Sequence, residues 1–373
     1  MVFPSYFKYT LTLLGAILTV YALIAAKGIL IPLALALVFA LLLYPLCRRF
    51  ERALIPRSLA AVLCILLLLS FVAGIGYLLG MQLDSISREL PEITQKIDEK
   101  LDQVQEYFEQ EWGIDESDQS LYMRRAINNF LQNSSAIYKT TFTITAGLVN
   151  YFIILPIALF FMLYYRSFFK EFLYRLAPRQ QHDRLERILG QIQQVMQDYI
   201  LGLFMVIVIV AFLNTLGLTV IGIRYAVFFG FLAALLTIIP YVGIFIGSLL
   251  PILYALVTTD SLFYPVAIAV VFWLVQVLEG NLITPNVVGN KVQLNPFAAI
   301  LALLVGGAIW GPAGMILFIP FVAMLKVVFD AVDGLQPWGF VLGLPQEVKN
   351  ESKTFRQWRV KLDLFFKKVF RSS

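Results

Sequence analysis

An all-α, polytopic transmembrane fold is predicted by three observations. Hydrophobic residues make up 60% of the sequence and charged residues 14%, against about 25% charged in an ordinary soluble domain. The apolar residues are gathered into blocks near the roughly 20 residues that a helix needs to cross the hydrocarbon layer. The segments between blocks also change sign of charge, basic after the second and fourth blocks and acidic after the third. A soluble chain of this size could not bury so much apolar surface. A soluble enzyme is therefore excluded, and the net charge of +5 reads as loops facing the cytoplasm. Nucleic-acid binding is not expected.

The first span covers about residues 11–26. Lys27 and Gly28 break it from a second at about 29–46. Arg48, Arg49, Arg52 and Arg57 follow against the single acid Glu51, a cytoplasmic signature that also places the N-terminus in the cytoplasm, because two spans precede it. The third span is about 59–83. Residues 84–140 carry six bases and twelve acids, a net of 6 − 12 = −6, which fits the outer side. Leu83, Ile86, Leu90, Ile93, Ile97, Leu101, Val104 and Phe108 recur at gaps of three and four. That period continues the third span as an amphipathic helix. Its apolar stripe packs either on the protein's own outer surface or against a second subunit. The fourth span, about 144–165, leads into a basic amphipathic stretch with a hinge at Pro178, and a fifth span follows at about 200–221.

The last third differs. Residues 225–257 are apolar but interrupted by Ile239, Pro240, Tyr241, Val242 and Gly243. A continuous run follows at about 262–278. Residues 297–329 are then interrupted between Gly306 and Gly314. The arms read as short for a ~30 Å hydrocarbon core at 1.5 Å per residue. Two broken hairpins flanking an ordinary span point to a transport site, because backbone broken at membrane depth must be buried in protein or line a wet cavity. Hinge positions are Gly306, Gly307, Gly311, Gly314 and Pro296. Counting each hairpin as entering and leaving on one face brings the basic tail to the cytoplasm, as the charge rule asks. Ordinary two-helix hairpins with tight turns are the alternative. The layout is then a three-helix membrane unit (1–83), an acidic extracytoplasmic segment (84–140), the fourth span with cytoplasmic amphipathic helices (141–199), a core with both hairpins (200–335) and a basic cytoplasmic tail (336–373).

Candidate ligand contacts are the polar groups in apolar surroundings: Glu279 directly after an apolar run, the neighbouring amides Gln276, Asn281 and Asn286, the breaks at Pro240, Gly243 and Pro285, and Asn214 inside the fifth span. An ionised carboxylate at the end of a span must face a cavity, find a partner or take a proton. Glu279 is either part of such a site or a boundary residue paired with Lys291. Asn214 either bonds a neighbouring helix or touches a ligand. Cys47 and Cys64 read as packing residues, and His182 stands without a His/Cys cluster, so neither metal nor cofactor is expected. No catalytic constellation and no phosphate-binding loop of the ATPase kind is present in the sequence, so the chain is not read as an enzyme, and energy would have to come from a gradient.

The segment EGNLITPNVVGNKVQLNPFAAILALLVGGAIWGPAGMILFIP at 279–320, with IPYVG at 239–243, resembles the AI-2E (autoinducer-2 exporter) family of bacterial membrane proteins, also described as PerM-like. The resemblance covers about residues 8–335. It implies about eight membrane segments, a location in the bacterial inner membrane and a homo-oligomer, with a pentamer as the expectation. Pro240, Gly243, Glu279, Asn281, Pro285, Gly289, Pro296, Gly306, Gly311 and Gly314 are its motif positions. It also implies a secondary transporter that exports a small polar solute such as autoinducer-2. Sodium (or lithium)/proton antiport is the alternative, and a non-transporting scaffold organised by the outer helix is a third. The partners expected are therefore a small polar solute or a monovalent cation, and the lipid bilayer.

Overall fold

The computed structural model describes residues 5–112, 153–239, 242–289 and 293–344. Most of the acidic segment's second half, the start of the fourth span, Pro240, Tyr241, Lys291 and the basic tail lie outside the described residues. Within them every element is helical, apart from one isolated bridge between Leu294 and Gly343. The fold is all-α and polytopic. Five described helices are long and apolar enough to cross a membrane, or six if one bent pair counts as a single span.

The chain opens with α1 (Ser5–Ala25), α2 (Lys27–Arg52) and α3 (Arg57–Trp112). At 1.5 Å per residue α3 runs about 84 Å, so close to two thirds of it must project beyond a ~30 Å hydrocarbon layer. The amphipathic continuation of the third span is thus one unbroken helix with it, as its backbone shows through Trp112. Next, α4 (Ile153–Tyr164) turns by 65° into α5 (Arg166–Leu176). The chain kinks again at Pro178, whose ψ of 143° is extended. It then forms α6 (His182–Ile221), about 60 Å long. Gly222, at φ +90°, ends α6 and allows the chain to turn. After it come α7 (Ala226–Leu236), α8 (Val242–Thr258), α9 (Phe263–Leu278), α10 (Pro296–Trp310), α11 (Pro312–Ala331) and α12 (Gln336–Leu342).

The described residues form two compact units. The first takes residues up to Phe172 and Gly202–Thr284. One of its cores joins α2, α3 and α4 through Ala36, Ala40, Ala60, Ala61, Cys64 and Leu159. These are mostly small residues, which let helix backbones approach closely where lipid offers no hydrophobic push. At the edge of this core Arg166 donates to Glu51, with both side chains less than one fifth exposed. The second core joins the end of α6 to α7, α8 and α9 through Leu218, Phe228, Phe229, Ala255, Ile268 and Phe272. Outside these cores, Leu66, Phe71, Phe212 and Val220 are exposed, as expected of helix faces turned to lipid.

In this unit α7 and α8 form a hairpin. A Cβ at Gly243 would lie 2.0 Å from the Leu236 carbonyl oxygen, and one at Gly247 would lie 2.8 Å from the Ala233 Cα. Glycine at both positions lets the arms touch backbone to backbone. The arms are unequal, with 11 residues in α7 and 17 in α8.

The second unit takes Leu173–Leu201 and the residues from Pro285 onward. Its centre is the hairpin of α10 and α11. Gly311, at φ +63°, makes the whole turn, and Pro312 starts α11 at a position where its missing N–H costs nothing. One difference from the sequence reading stands out here. The interruption occupies one residue, and α10 runs unbroken through Gly306 and Gly307. The arms have 15 and 20 residues, so α11, at about 30 Å, is long enough to cross the hydrocarbon layer. The glycines misled the length estimate, since a run of them can mark close packing inside a helix as readily as a break.

Candidate functional site

The site begins where α9 ends. The apolar helix does not stop at Glu279; it widens into two π turns, Glu279–Ile283 and Pro285–Gly289. Pro285 explains the widening. A proline inside an α-helix has no N–H to give, and its ring collides with the carbonyl four residues back, here that of Asn281. Shifting the bonding by one residue relieves the collision. The Thr284 N–H accordingly donates to the Glu279 carbonyl, five residues back.

The π register places residue 284 over residue 279. The Thr284 hydroxyl donates to Oε1 of Glu279, and Gln276 Nε2 donates to Oε2 at 2.8 Å. Each oxygen of the half-buried carboxylate thus holds a side-chain donor from its own helix. That arrangement keeps a carboxylate at the end of an apolar helix without an oppositely charged residue among the described contacts. Two donors offset part of the hydration it gives up. The carboxylate keeps further lone pairs to offer a solute hydroxyl or a cation. π turns of this kind recur at functional sites because they aim side chains that a regular helix could not bring together.

Of the residues predicted as contacts, Gln276 and Glu279 are joined directly. Asn281 is not, because its amide donates to the Val277 carbonyl at 2.9 Å. Asn286 and Pro285 are exposed, and Pro240 lies outside the described residues. Gly243 serves the close contact of α7 with α8. Thr284 was not singled out from the sequence. A threonine five residues after a glutamate carries no signal on a helix of 3.6 residues per turn, and only the π register makes the pair.

Asn214 is the second polar feature of this unit. It is 3% exposed, the one buried polar or charged side chain among the described residues, and its Oδ1 has no hydrogen-bond partner. It sits on the stretch of α6 that its neighbours press hardest. A Cβ at Gly217 would meet Val271 of α9 at 2.3 Å, and one at Gly230 of α7 would meet Thr215 at 2.4 Å. An orphaned buried oxygen costs about 1–3 kcal/mol, so it calls for a reason.

The proposed hinge residues separate into two kinds. Gly311 is the turn itself. Gly306 and Gly314 face each other across the hairpin, where a Cβ on Gly314 would lie 1.9 Å from the Gly306 carbonyl oxygen, while Gly307 lies against Met315. Pro296 is the first residue of α10, capped by Asn295, whose Oδ1 accepts from the Ala298 N–H at 2.8 Å.

Comparison with known proteins agrees with this architecture. The family described as AI-2E family transporter matches residues 12–334. YrrI of Bacillus subtilis is 27% identical over 316 residues, covering 81% of this chain and 86% of YrrI. YhhT of Escherichia coli is 24% identical over 327 residues, 86% of this chain and 89% of YhhT. The AI-2 transport protein TqsA of Escherichia coli is 26% identical over 317 residues, 83% of this chain and 88% of TqsA. With the match running through both hairpins and the π-widened segment between them, the chain belongs to the AI-2E transporter family.

Proposed function

We propose that this chain is a secondary transporter of the bacterial inner membrane that carries a small polar solute outward, with autoinducer-2 as the first solute to test because the relative TqsA transports it. The observation that carries the reading is the Glu279 carboxylate, held by Gln276 and Thr284 on a π-widened turn at the end of an apolar helix. A carboxylate in that setting is an acceptor for solute hydroxyls or a carrier for a coupling proton. Asn214 supplies a second acceptor in the same unit. The termini are cytoplasmic on the charge rule, with the basic segments at 48–57 and 356–371 on the inner side. The long helix α3 carries the contact that assembles a homo-oligomer, a pentamer on the family resemblance.

The test is export from sealed vesicles. Inside-out vesicles holding the wild-type chain should accumulate autoinducer-2, and Glu279→Gln should abolish accumulation at unchanged protein content. Sodium-dependent proton movement without solute accumulation would instead assign antiport, a reading that the same carboxylate supports. Vesicles that move neither, with an oligomer that dissolves when residues 84–140 are deleted, would replace transport with a scaffold.

A further inference from the structure

Where α2 gives way to α3, a leucine stands in a position built for glycine. The turn closes the end of α2 with two backbone bonds. The Leu54 N–H donates to the Glu51 carbonyl at 3.1 Å, and the Ile55 N–H donates to that of Phe50 at 3.3 Å. This pattern needs a left-handed residue, usually glycine, just past the helix. Leu54 takes that conformation at φ +66°, against the steric cost that a Cβ carries there. Packing does not offset the cost, because Leu54 is 94% exposed. Phe50 and Ile55 do pack on the core of α2, α3 and α4, so the turn is firmly seated and the leucine is its outward tip. Arg52 and Arg57 flank that tip in the sequence, and both are exposed.

The bend between α4 and α5 joins this turn to form an elbow. The chain turns by 65° there, so α5 runs across the direction of the span it follows. The Arg57 guanidinium donates to the Ser167 hydroxyl at 3.5 Å, which ties the first residue of α3 to the first turn of α5. No residue of α5 is buried. Phe168, Phe169 and Phe172 are exposed, and Phe168 meets Tyr165 and Phe169 edge to face at 6.5 and 6.0 Å. Aromatic clusters at the end of a span mark the headgroup layer. The charge of the elbow is one-sided. Glu51 is engaged by Arg166, whose guanidinium also lies over the Tyr44 ring, and Glu171 follows Lys170 directly. Arg48, Arg49, Arg52 and Arg57 have no carboxylate partner among the described residues.

We infer that this elbow binds an anionic phospholipid, its phosphate held by Arg52, Arg57 and the Ser167 hydroxyl and its apolar part laid against Leu54 and the phenylalanines of α5. A guanidinium can take two phosphate oxygens at once. Helix α3 begins at Arg57 with no acid in its first turn, so its free N–H groups favour the same charge. A soluble phosphate would use the cations and leave the leucine and phenylalanines in water. An acidic protein would have to displace the lipid headgroups of the layer that the aromatic cluster marks. A lipid satisfies both halves of the surface, and it gives the left-handed Leu54 a reason as an apolar tip beside the phosphate. The site is separate from Glu279 and does not depend on what the chain transports.

Native mass spectrometry of the full chain, stripped of lipid in a neutral detergent, counts bound lipid directly. Dioleoyl phosphatidylglycerol should bind about tenfold or more tightly than dioleoyl phosphatidylcholine. Glycerol 1-phosphate, an anion of the same kind without acyl chains, is the free-phosphate arm and should bind far more weakly. Arg52→Gln with Arg57→Gln should weaken phosphatidylglycerol binding about fivefold per charge and roughly 25-fold together. Arg52→Gln alone, with its about fivefold loss, replaces the pair if the pair does not fold. Exposed Lys27 and Arg224 supply the charge control. Lys27→Gln with Arg224→Gln removes two cations elsewhere and should leave the affinity within about twofold of the wild type. Leu54→Gly relieves the left-handed turn, so the midpoint of thermal unfolding should stay or rise while the affinity falls about threefold or more. A leucine kept for the fold alone would do the opposite, lowering the midpoint on substitution and leaving lipid binding intact. That result, equal binding of phosphatidylcholine or glycerol 1-phosphate, or an equal loss in the charge control would overturn the inference.

Discussion

Gly314→Ala is the sharpest test of how the second hairpin is held together. The added methyl would lie 1.9 Å from the Gly306 carbonyl oxygen and 2.5 Å from its carbon. Ordinary contact begins at about 3.4 Å, so the shortfall is roughly 1.5 Å, and the obstacle is backbone on both sides. No side chain can swing away, and the two helices must separate along their shared face. Overpacking of this kind costs about 1–3 kcal/mol and more when backbone has to move. A penalty near 3 kcal/mol should lower the midpoint of thermal unfolding in detergent by roughly 5–10 °C. The edge-to-face contact of Trp310 with Phe318, at 5.5 Å, would loosen in step and show as lost near-ultraviolet dichroism. Gly306→Ala meets Gly314 from the other side at 2.4 Å. One separation relieves both clashes, so the double variant should cost clearly less than the sum of the single ones. A Gly314→Ala protein that unfolds within 1 °C of the wild type, or a strictly additive pair, would refute the backbone-contact reasoning.

The remaining predictions concern the polar groups. Thr284→Val removes one donor from Glu279 at constant shape and should slow export about tenfold, the equivalent of ~1.4 kcal/mol; Thr284→Ser should restore it. Asn214→Leu removes a buried orphan oxygen and should raise thermal stability while lowering transport, because a group kept only for packing would gain on both counts. The Arg184 guanidinium beside Asp333 holds its carboxyl below the ordinary value of 3.8. A carboxylate with a depressed folded-state value contributes stability above its unfolded value and loses it as pH falls through the folded one. Asp333→Asn should therefore be less stable than the wild type at neutral pH, and acid titration followed by dichroism should bring the two together below about pH 4.

The fold was largely legible because lipid imposes it. Blocks of about 20 apolar residues can only be helices there, and the three-and-four spacing after Leu83 carried α3 onward as one helix. The 65° bend at Tyr165 and the hinge at Pro178 were legible as the edge of a basic, amphipathic stretch. What the composition could not give was the register. Gly306 and Gly314 read as breaks, and only their mutual contact shows them to be a packing surface. The candidate site was legible to the extent of Glu279 and Gln276. Thr284 was invisible because its partnership depends on a π turn, which one proline causes but no side-chain period announces. A cavity in the second unit escaped for another reason. The pocket lined by Arg184, Asp198 and Lys326 joins the helix after the Pro178 hinge, read as leading into the fifth span, to a stretch of α11 more than 120 positions away.

A hairpin locked by backbone contact moves as one piece, since shearing it would trade close contacts for voids along its whole length. That holds for α7 with α8 through Gly243 and Gly247, and for α10 with α11 through Gly306 and Gly314. The π-widened stretch has the opposite character. Its hydrogen bonds are poorer, a proline deprives it of one donor, and Gly280 adds backbone freedom. One of the three places where the chain passes between the two compact units also falls at Thr284, inside that stretch. A rearrangement at residues 279–289 would therefore cost less than one inside either hairpin, and the carboxylate proposed to meet the solute also sits there. A disturbance of Glu279 by solute or proton acts on a segment able to yield, and bulk at either glycine contact should slow transport only through stability.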